Sequence, residues 1–292
     1  MTDHGTLSVR CDLRFVPRDE DILVLHLQAA HCAGQTVRDE ELSVSVSLGA
    51  ERLRLSFESH VTPENNRLVR VLVPVAHMGK DLIIAYRASV SLHPTLQDPA
   101  NVMETPLRQL PFSVQPYLLA SRYCQSDRLG AFAEQEFGHL LPGHSRVTAI
   151  CNWIRGRIRY ADGSSNTQTT AHDTMEARVG VCRDFAHLAI SLCRALNIPA
   201  RFVSAYSAGI FPQDFHALVE VYLSGRWYLF DPTRLASVDR AARIGVGRDA
   251  ADVSFATIYG AVETTIPKVD VQLLGASVET PLTLQAVSIS ET

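Results

Sequence analysis

A chain of 292 residues, 46% of them hydrophobic and 20% charged, has a globular composition and enough length to bury two cores of ordinary size. Its formal net charge of −4 leaves no electrostatic footprint for nucleic acid or an acidic membrane, so neither is expected as a partner. No stretch approaches 18 consecutive apolar residues, and no membrane-spanning helix is expected.

Cys11, Cys32, Cys124, Cys151, Cys182 and Cys193 are scattered, without the CxxC pairs of zinc or redox sites. They read as reduced thiols, five of them small buried apolar residues. The start, Met1-Thr2-Asp3-His4-Gly5, lacks the basic residues and apolar stretch of a signal peptide. A cytoplasmic location is the expectation.

The first part of the chain is β-rich. Leu7, Val9, Cys11, Leu13 and Phe15 alternate with polar neighbours, which predicts a strand with one buried face. Further strands are predicted over 22–27, 42–48, 53–57, 68–75 and 82–92, separated by turn chemistry at Pro17-Arg18-Asp19 and Pro63-Glu64-Asn65-Asn66. Spacing of this kind predicts an antiparallel β-sandwich over residues 1–115. Pro94, Pro99, Pro106, Pro111 and Pro116 then mark a linker.

From Tyr117 onward helices lead. Ser126 is placed to cap a helix over 127–134, and Ser145 a longer one in which Val147, Ile150, Cys151, Ile154 and Ile158 recur at helical spacing. A short helix opening at Asp173 or Thr174 runs through Glu176 and halts at Gly180. The next begins near Cys182, carries an inward stripe of Phe185, Ala189, Leu192, Cys193 and Leu196, and ends at Asn197-Ile198-Pro199. Antiparallel strands follow over 201–206, 216–223 and 226–230. The fold class is α+β, with a second domain over 116–292 in which a cysteine-bearing helix packs on an antiparallel sheet.

Cys182 precedes the buried stripe of its helix, so it stands at the N-terminus rather than in the core. An ordinary thiol, with a pKa of about 8.5, is mostly protonated at neutral pH; a helix N-terminus or a neighbouring imidazolium favours the thiolate. The Cys182 N–H is also free to hold an oxyanion. If Ser224-Gly225 is a two-residue hairpin turn, the numbers of facing residues sum to 449, so Leu218 opposes Asp231. His216 then lies diagonally from Asp231 on the same face, where the carboxylate can fix the imidazole tautomer and leave the other nitrogen for the thiolate. Cys182, His216 and Asp231 are the parts of a thiol acyl-transfer site.

Gly180-Val181-Cys182 with Asp184-Phe185-Ala186, Asn197-Ile198-Pro199-Ala200-Arg201, His216 through Val221, and Trp227 with Phe230-Asp231-Pro232-Thr233 resemble the bacterial transglutaminase-like superfamily of papain-like thiol enzymes. The likeness covers roughly Tyr117 to Gly260, and the β-rich first part resembles the region that accompanies this core in bacterial members. It implies a triad of Cys182, His216 and Asp231 on a papain/transglutaminase-like core. It also implies a second oxyanion donor upstream of the nucleophile, for which Tyr160 is the candidate and Gln168 the runner-up. Gly245 to Asp252 resembles the segment that closes the sheet near the site.

Other polar residues are given structural roles. His187 points about 140° around the helix from Cys182, and His172 sits in a polar loop open to solvent. A zinc site built from His172, His187, His216 and Cys182 has ligand chemistry without motif spacing and is not favoured. Arg183 and Asp184 are read as tuning local charge or capping the helix. The expected activity is hydrolysis of a peptide or related amide, with no metal or organic cofactor. Amine transfer by the same triad is the first alternative, and a non-catalytic binding module on the same fold the second.

Overall fold

The computed structural model describes residues 5–19, 21–275 and 282–290; Met1 to His4, which carried the signal-peptide argument, lie outside the described residues. Residues 5–97 are almost wholly strand: β1 (Thr6–Pro17), β2 (Asp21–Leu25), β3 (Gln35–Leu48), β4 (Glu51–Arg54), β5 (Glu58–Val61), β6 (Arg67–Val73), β7 (Leu82–Leu92) and β8 (Thr95–Gln97). In β1 the expected alternation holds, with Leu7, Val9, Cys11, Leu13 and Phe15 all buried. The strand β5 has no apolar alternation to announce it; all four residues are exposed, and it forms the edge of its sheet. The predicted strand over 53–57 lies earlier, over Glu51–Arg54, and is likewise exposed.

After four 3-10 segments come α1 (Gly130–Phe137), α2 (His144–Arg157), β9 (Arg159–Tyr160), α3 (Ala171–Ala177), β10 (Val179–Gly180) and α4 (Cys182–Ala195). Three helix starts differ from expectation. Ser126 opens a 3-10 turn rather than a helix, and α2 starts at His144 behind Gly143, while the Ser145 hydroxyl bonds back to the Leu141 carbonyl at 3.3 Å. In α3 the start moves to Ala171 because Thr170 and Asp173 form a reciprocal capping box.

Then follow β11 (Ala200–Ser207), β12 (His216–Leu223), β13 (Arg226–Phe230), β14 (Ala241–Gly247), β15 (Ala256–Tyr259), β16 (Val262–Thr264), β17 (Lys268–Leu274) and β18 (Ala286–Ser288). One six-stranded antiparallel sheet runs β14-β11-β12-β13-β18-β8 and carries the helices. Another is built on β16-β1-β7-β3-β4 with β17 also on β1, and faces the four-stranded sheet β15-β2-β6-β5 across a shared apolar core. Strand partnership therefore crosses the expected boundary at residue 115 in both directions. β15, β16 and β17 return to the N-terminal sheets, and β8, read from sequence as linker, closes the edge of the helix-bearing sheet.

The inward stripe of α4 is realised: Phe185, Ala189, Leu192 and Cys193 are buried against Ala217, Val219, Val221, Tyr228 and Phe230. Burying such a stripe contributes about 1.5–3 kcal/mol per large side chain, so α4 is held rigidly on the sheet. The alternate positions Leu218 and Leu229 enter a separate apolar cluster with Val203 and Val287. Among the described residues no helix is long and apolar enough to cross a membrane.

Candidate active site

Cys182 is the first residue of α4 and is only half-buried. The helix starts there because the Asp184 carboxylate accepts the Val181 N–H at 2.9 Å, closing the first turn. That cap dictates Gly180: a Cβ at this position would meet the Asp184 side chain at 2.8 Å. Arg183 reaches the Asn166 carbonyl at 2.7 Å and Asp184 Oδ1 at 3.1 Å, tying the 161–170 loop to the helix start. The capping role read for Asp184 thus belongs to its carboxylate, while Arg183 fastens the loop.

The β12–β13 hairpin has the expected register. Val219 faces Phe230 and Val221 faces Tyr228, and the two turn residues, Ser224 and Gly225, both have positive φ (46° and 77°). The diagonal pair follows from that register: His216 Nε2 donates to Asp231 Oδ2 at 2.9 Å, with both side chains almost fully buried. Cys182 stands beside the same ring. Burial alone would pull the imidazole down; the Asp231 charge and hydrogen bond, with Cys182 beside it, instead raise it to about 10. For Asp231 burial pushes upward, and His216 together with Thr233 outweighs it, holding the carboxyl below its ordinary value.

Thr233 is the functional neighbour that sequence reasoning quoted without using. Its N–H and hydroxyl both donate to Asp231 Oδ1, at 2.8 and 2.6 Å, and the Ala236 N–H reaches Oδ2 at 3.3 Å. An Asp followed two residues later by Thr is the signature of such a turn and could have announced it. With His216 these bonds saturate the carboxylate. On its far side Asp231 borders a cavity of about 500 Å³ lined also by His144, Thr148, Cys151 and Arg234.

Tyr160 lies beside the nucleophile, though in β9 rather than at a helix end. The parallel pairing of Tyr160 with Gly180 carries it there, and its ring packs on Phe185 at 5.7 Å. Its hydroxyl neighbours the main chain and thiol of Cys182, and burial with the neighbouring Cys182 raises the phenol, which stays protonated and able to donate. Gln168 is exposed, and its main-chain N–H donates to Asn166 Oδ1 at 2.8 Å. The structure brings Cys182, His216, Asp231 and Tyr160 together and leaves Gln168 on the outside.

His187 is fully buried, stacked on Tyr123 and accepting the Ala250 N–H at 3.1 Å. His172 departs from its expected loop: it sits on α3, 3.6 Å from Glu176. Among the described residues no group of three or more His, Cys, Asp or Glu side chains is placed to hold a metal ion. The other five thiols are all pushed up by burial, Cys11, Cys124 and Cys151 to about 12.

A half-buried cysteine at a helix start, an imidazole and a carboxylate on successive antiparallel strands define the scaffold of papain-like thiol enzymes. Residues 131–232 match the Transglutaminase-like superfamily. The crystal structure of a candidate cysteine protease from Cytophaga hutchinsonii is 33% identical and covers 99% of both chains with a TM-score of 0.90. Uncharacterized proteins of Mycobacterium leprae (31% identity over 120 residues, 37% of this chain) and Mycobacterium tuberculosis (36% over 143 residues, 44% of this chain) also match. The matched regions span 42% and 46% of those two curated relatives, less than half their length. The chain belongs to the transglutaminase-like superfamily.

Proposed function

We propose that the chain hydrolyses peptide or related amide bonds through Cys182, His216 and Asp231. The Cys182 thiolate attacks the amide carbonyl carbon, forming a C–S bond and a tetrahedral oxyanion. The Cys182 N–H and the Tyr160 hydroxyl are neighbours, and an arriving carbonyl oxygen would take up both donors. Collapse breaks the C–N bond while the His216 imidazolium gives its proton to the leaving nitrogen. Water then loses a proton to His216 and attacks the thioester, releasing the acid and restoring the thiolate–imidazolium pair. Asp231 holds the ring and stabilises its charge throughout.

The observation that carries this reading is the position of His216, bonded to Asp231 and standing beside Cys182, while burial pushes the remaining five thiols toward the protonated form. The reading also agrees with the cysteine protease named for the Cytophaga hutchinsonii relative. All six cysteines are free, which suits the cytoplasmic location we assign.

Two measurements test it. Iodoacetamide at pH 6 should label Cys182 far faster than the other five thiols, and equal sluggishness would make the chain a binding module. Incubation with a peptide panel and labelled amines should release acid. Amine incorporation exceeding hydrolysis would replace hydrolysis with amine transfer by the same three residues.

A further inference from the structure

We propose that the β-sandwich is a working part of the catalytic site, setting the position of the His216 imidazole through the carboxamide of Gln213 and the ring of Phe215. The proposal rests on the reading of Cys182 and His216 as nucleophile and base.

The junction between the sandwich and the helix-bearing sheet is made by side-chain amides that stand in for missing strands. Asn66 donates to the Val246 carbonyl at 2.7 Å and accepts the Val246 N–H at 2.8 Å. Gln35 does the same for Arg243, at 2.9 and 2.8 Å. Both residues come from the sandwich and grip β14, the edge strand of the helix-bearing sheet. The third such clamp runs the opposite way: Gln213, in the loop before β12, donates to the Val271 carbonyl at 2.8 Å and accepts the Val271 N–H. Val271 belongs to β17, whose other side pairs with β1. An edge strand presents unsatisfied N–H and C=O groups, and one carboxamide carries the donor and acceptor that match a pair of them.

Gln213 precedes the base by three residues, a tether of about 10 Å at most. Phe215, directly before His216, stacks on Phe255 at 4.9 Å and 12° and lies 5.6 Å from Tyr206. Tyr206 in turn packs at 6.1 Å on Tyr86 of β7 and donates to the Leu27 carbonyl at 2.7 Å. A row of aromatic rings thus extends from inside the sandwich to the residue before the base. In extended chain successive side chains point to opposite sides, so holding Phe215 in the sandwich aims His216 toward Asp231 and Cys182. The loop tip contrasts with these anchors: Phe211 is 96% exposed and Pro212 is exposed beside it. Without Gln213 and Phe215, little would fix the approach of the chain to β12.

The test measures iodoacetamide alkylation of each thiol against pH in the full chain, for wild type, Gln213→Met and Phe215→Leu, with a thermal melt of each. Gln213→Met keeps side-chain length and removes both hydrogen bonds. The titratable groups facing His216 are Asp231, Cys182 and Asp214, and neither substitution touches them. A displacement of about 1 Å at a reacting pair costs up to about 100-fold, so Cys182 alkylation at pH 6 should fall at least about tenfold in each variant. In strongly alkaline buffer, where hydroxide takes the place of the imidazole as base, the rate should approach wild type. A variant that melts lower yet alkylates at the wild-type rate at pH 6 overturns the clamp and leaves the triad standing. A wild-type Cys182 no faster than the other five thiols overturns the catalytic reading, and the clamp with it.

Discussion

His216 and Asp231 form a buried ion pair, 2.9 Å across the β12–β13 hairpin, in which each group shifts the other toward its charged form. Stability should therefore depend on pH in a defined window. His216 is raised from 6.5 to about 10, so its contribution is complete below pH 6.5 and is lost as pH climbs toward 10. Asp231 is lowered from 3.8, so its contribution is complete above that value and is lost as acid protonates it. The stability gap between wild type and Asp231→Asn, read from urea midpoints, should be widest between about pH 4 and 6.5 and should shrink on both sides. Breaking a buried pair on one side costs about 3–5 kcal/mol, which sets the scale of the gap. A gap that grows steadily toward pH 10 would contradict the assignment.

Thr233 should matter to turnover although it touches neither the thiol nor the ring. It supplies two of the bonds that hold Asp231 Oδ1. Thr233→Val keeps the shape and the N–H bond while removing the hydroxyl, and should lower kcat by about tenfold with KM within twofold, the hydroxyl's hydrogen bond to the charged carboxylate being worth about 1.5 kcal/mol. Thr233→Ser should restore most of the rate. Equal losses in both variants would point to packing of the methyl group instead.

Why the sequence announced this hairpin so well, and the sandwich boundary so poorly, has a physical cause. Two-residue turns fix register, so Ser224-Gly225 sufficed to place Asp231 diagonally from His216. The α4 stripe and the β1 alternation were equally legible, because each buries one face against a continuous apolar layer. Short strands carry no such pattern: Thr95–Gln97 looks like linker until Ala286–Ser288 pairs with it, and Ala256–Leu274 gives no sign that it returns to β1 and β2. Gln213 was hidden for another reason. Its role is a pair of hydrogen bonds to one partner, and that partner lies 58 residues away.

Tyr160→Phe separates a donor from a packing residue. The ring on Phe185 survives the change and only the hydroxyl beside Cys182 is lost. If the hydroxyl steadies the oxyanion, kcat should drop by about 100-fold or somewhat less while KM and the melting temperature hold nearly constant, since removal of one oxyanion donor costs about 10²–10³. Gln168→Ala, on the exposed loop, should leave kcat within twofold. An unchanged kcat in Tyr160→Phe would return that residue to a purely structural role.

Glu220 offers the converse case, a buried charge that should govern stability and spare catalysis. It is wholly buried, 2.6 Å from Arg201, 3.5 Å from Arg243, and accepts the Ser290 hydroxyl at 2.8 Å. Burial pushes its carboxyl up, but the two guanidinium groups outweigh burial and hold it below its ordinary value. Arg201 also lies over the Trp227 ring at 4.1 Å, so it cannot swing to solvent without uncovering that ring. Glu220→Gln would leave two buried cations facing a neutral amide, at a cost of about 3–5 kcal/mol, well above the cost of losing a surface ion pair. Glu220 is four residues along β12 from His216, about 13 Å at strand rise, and the intervening sheet is held by its own cross-strand pairs. Activity per folded molecule, measured well below the melting point, should stay within twofold of wild type. The double variant Glu220→Gln with Arg201→Met should recover part of the lost stability, because it removes one of the stranded charges; a further loss would mean that Arg201 acts chiefly through its stack on Trp227.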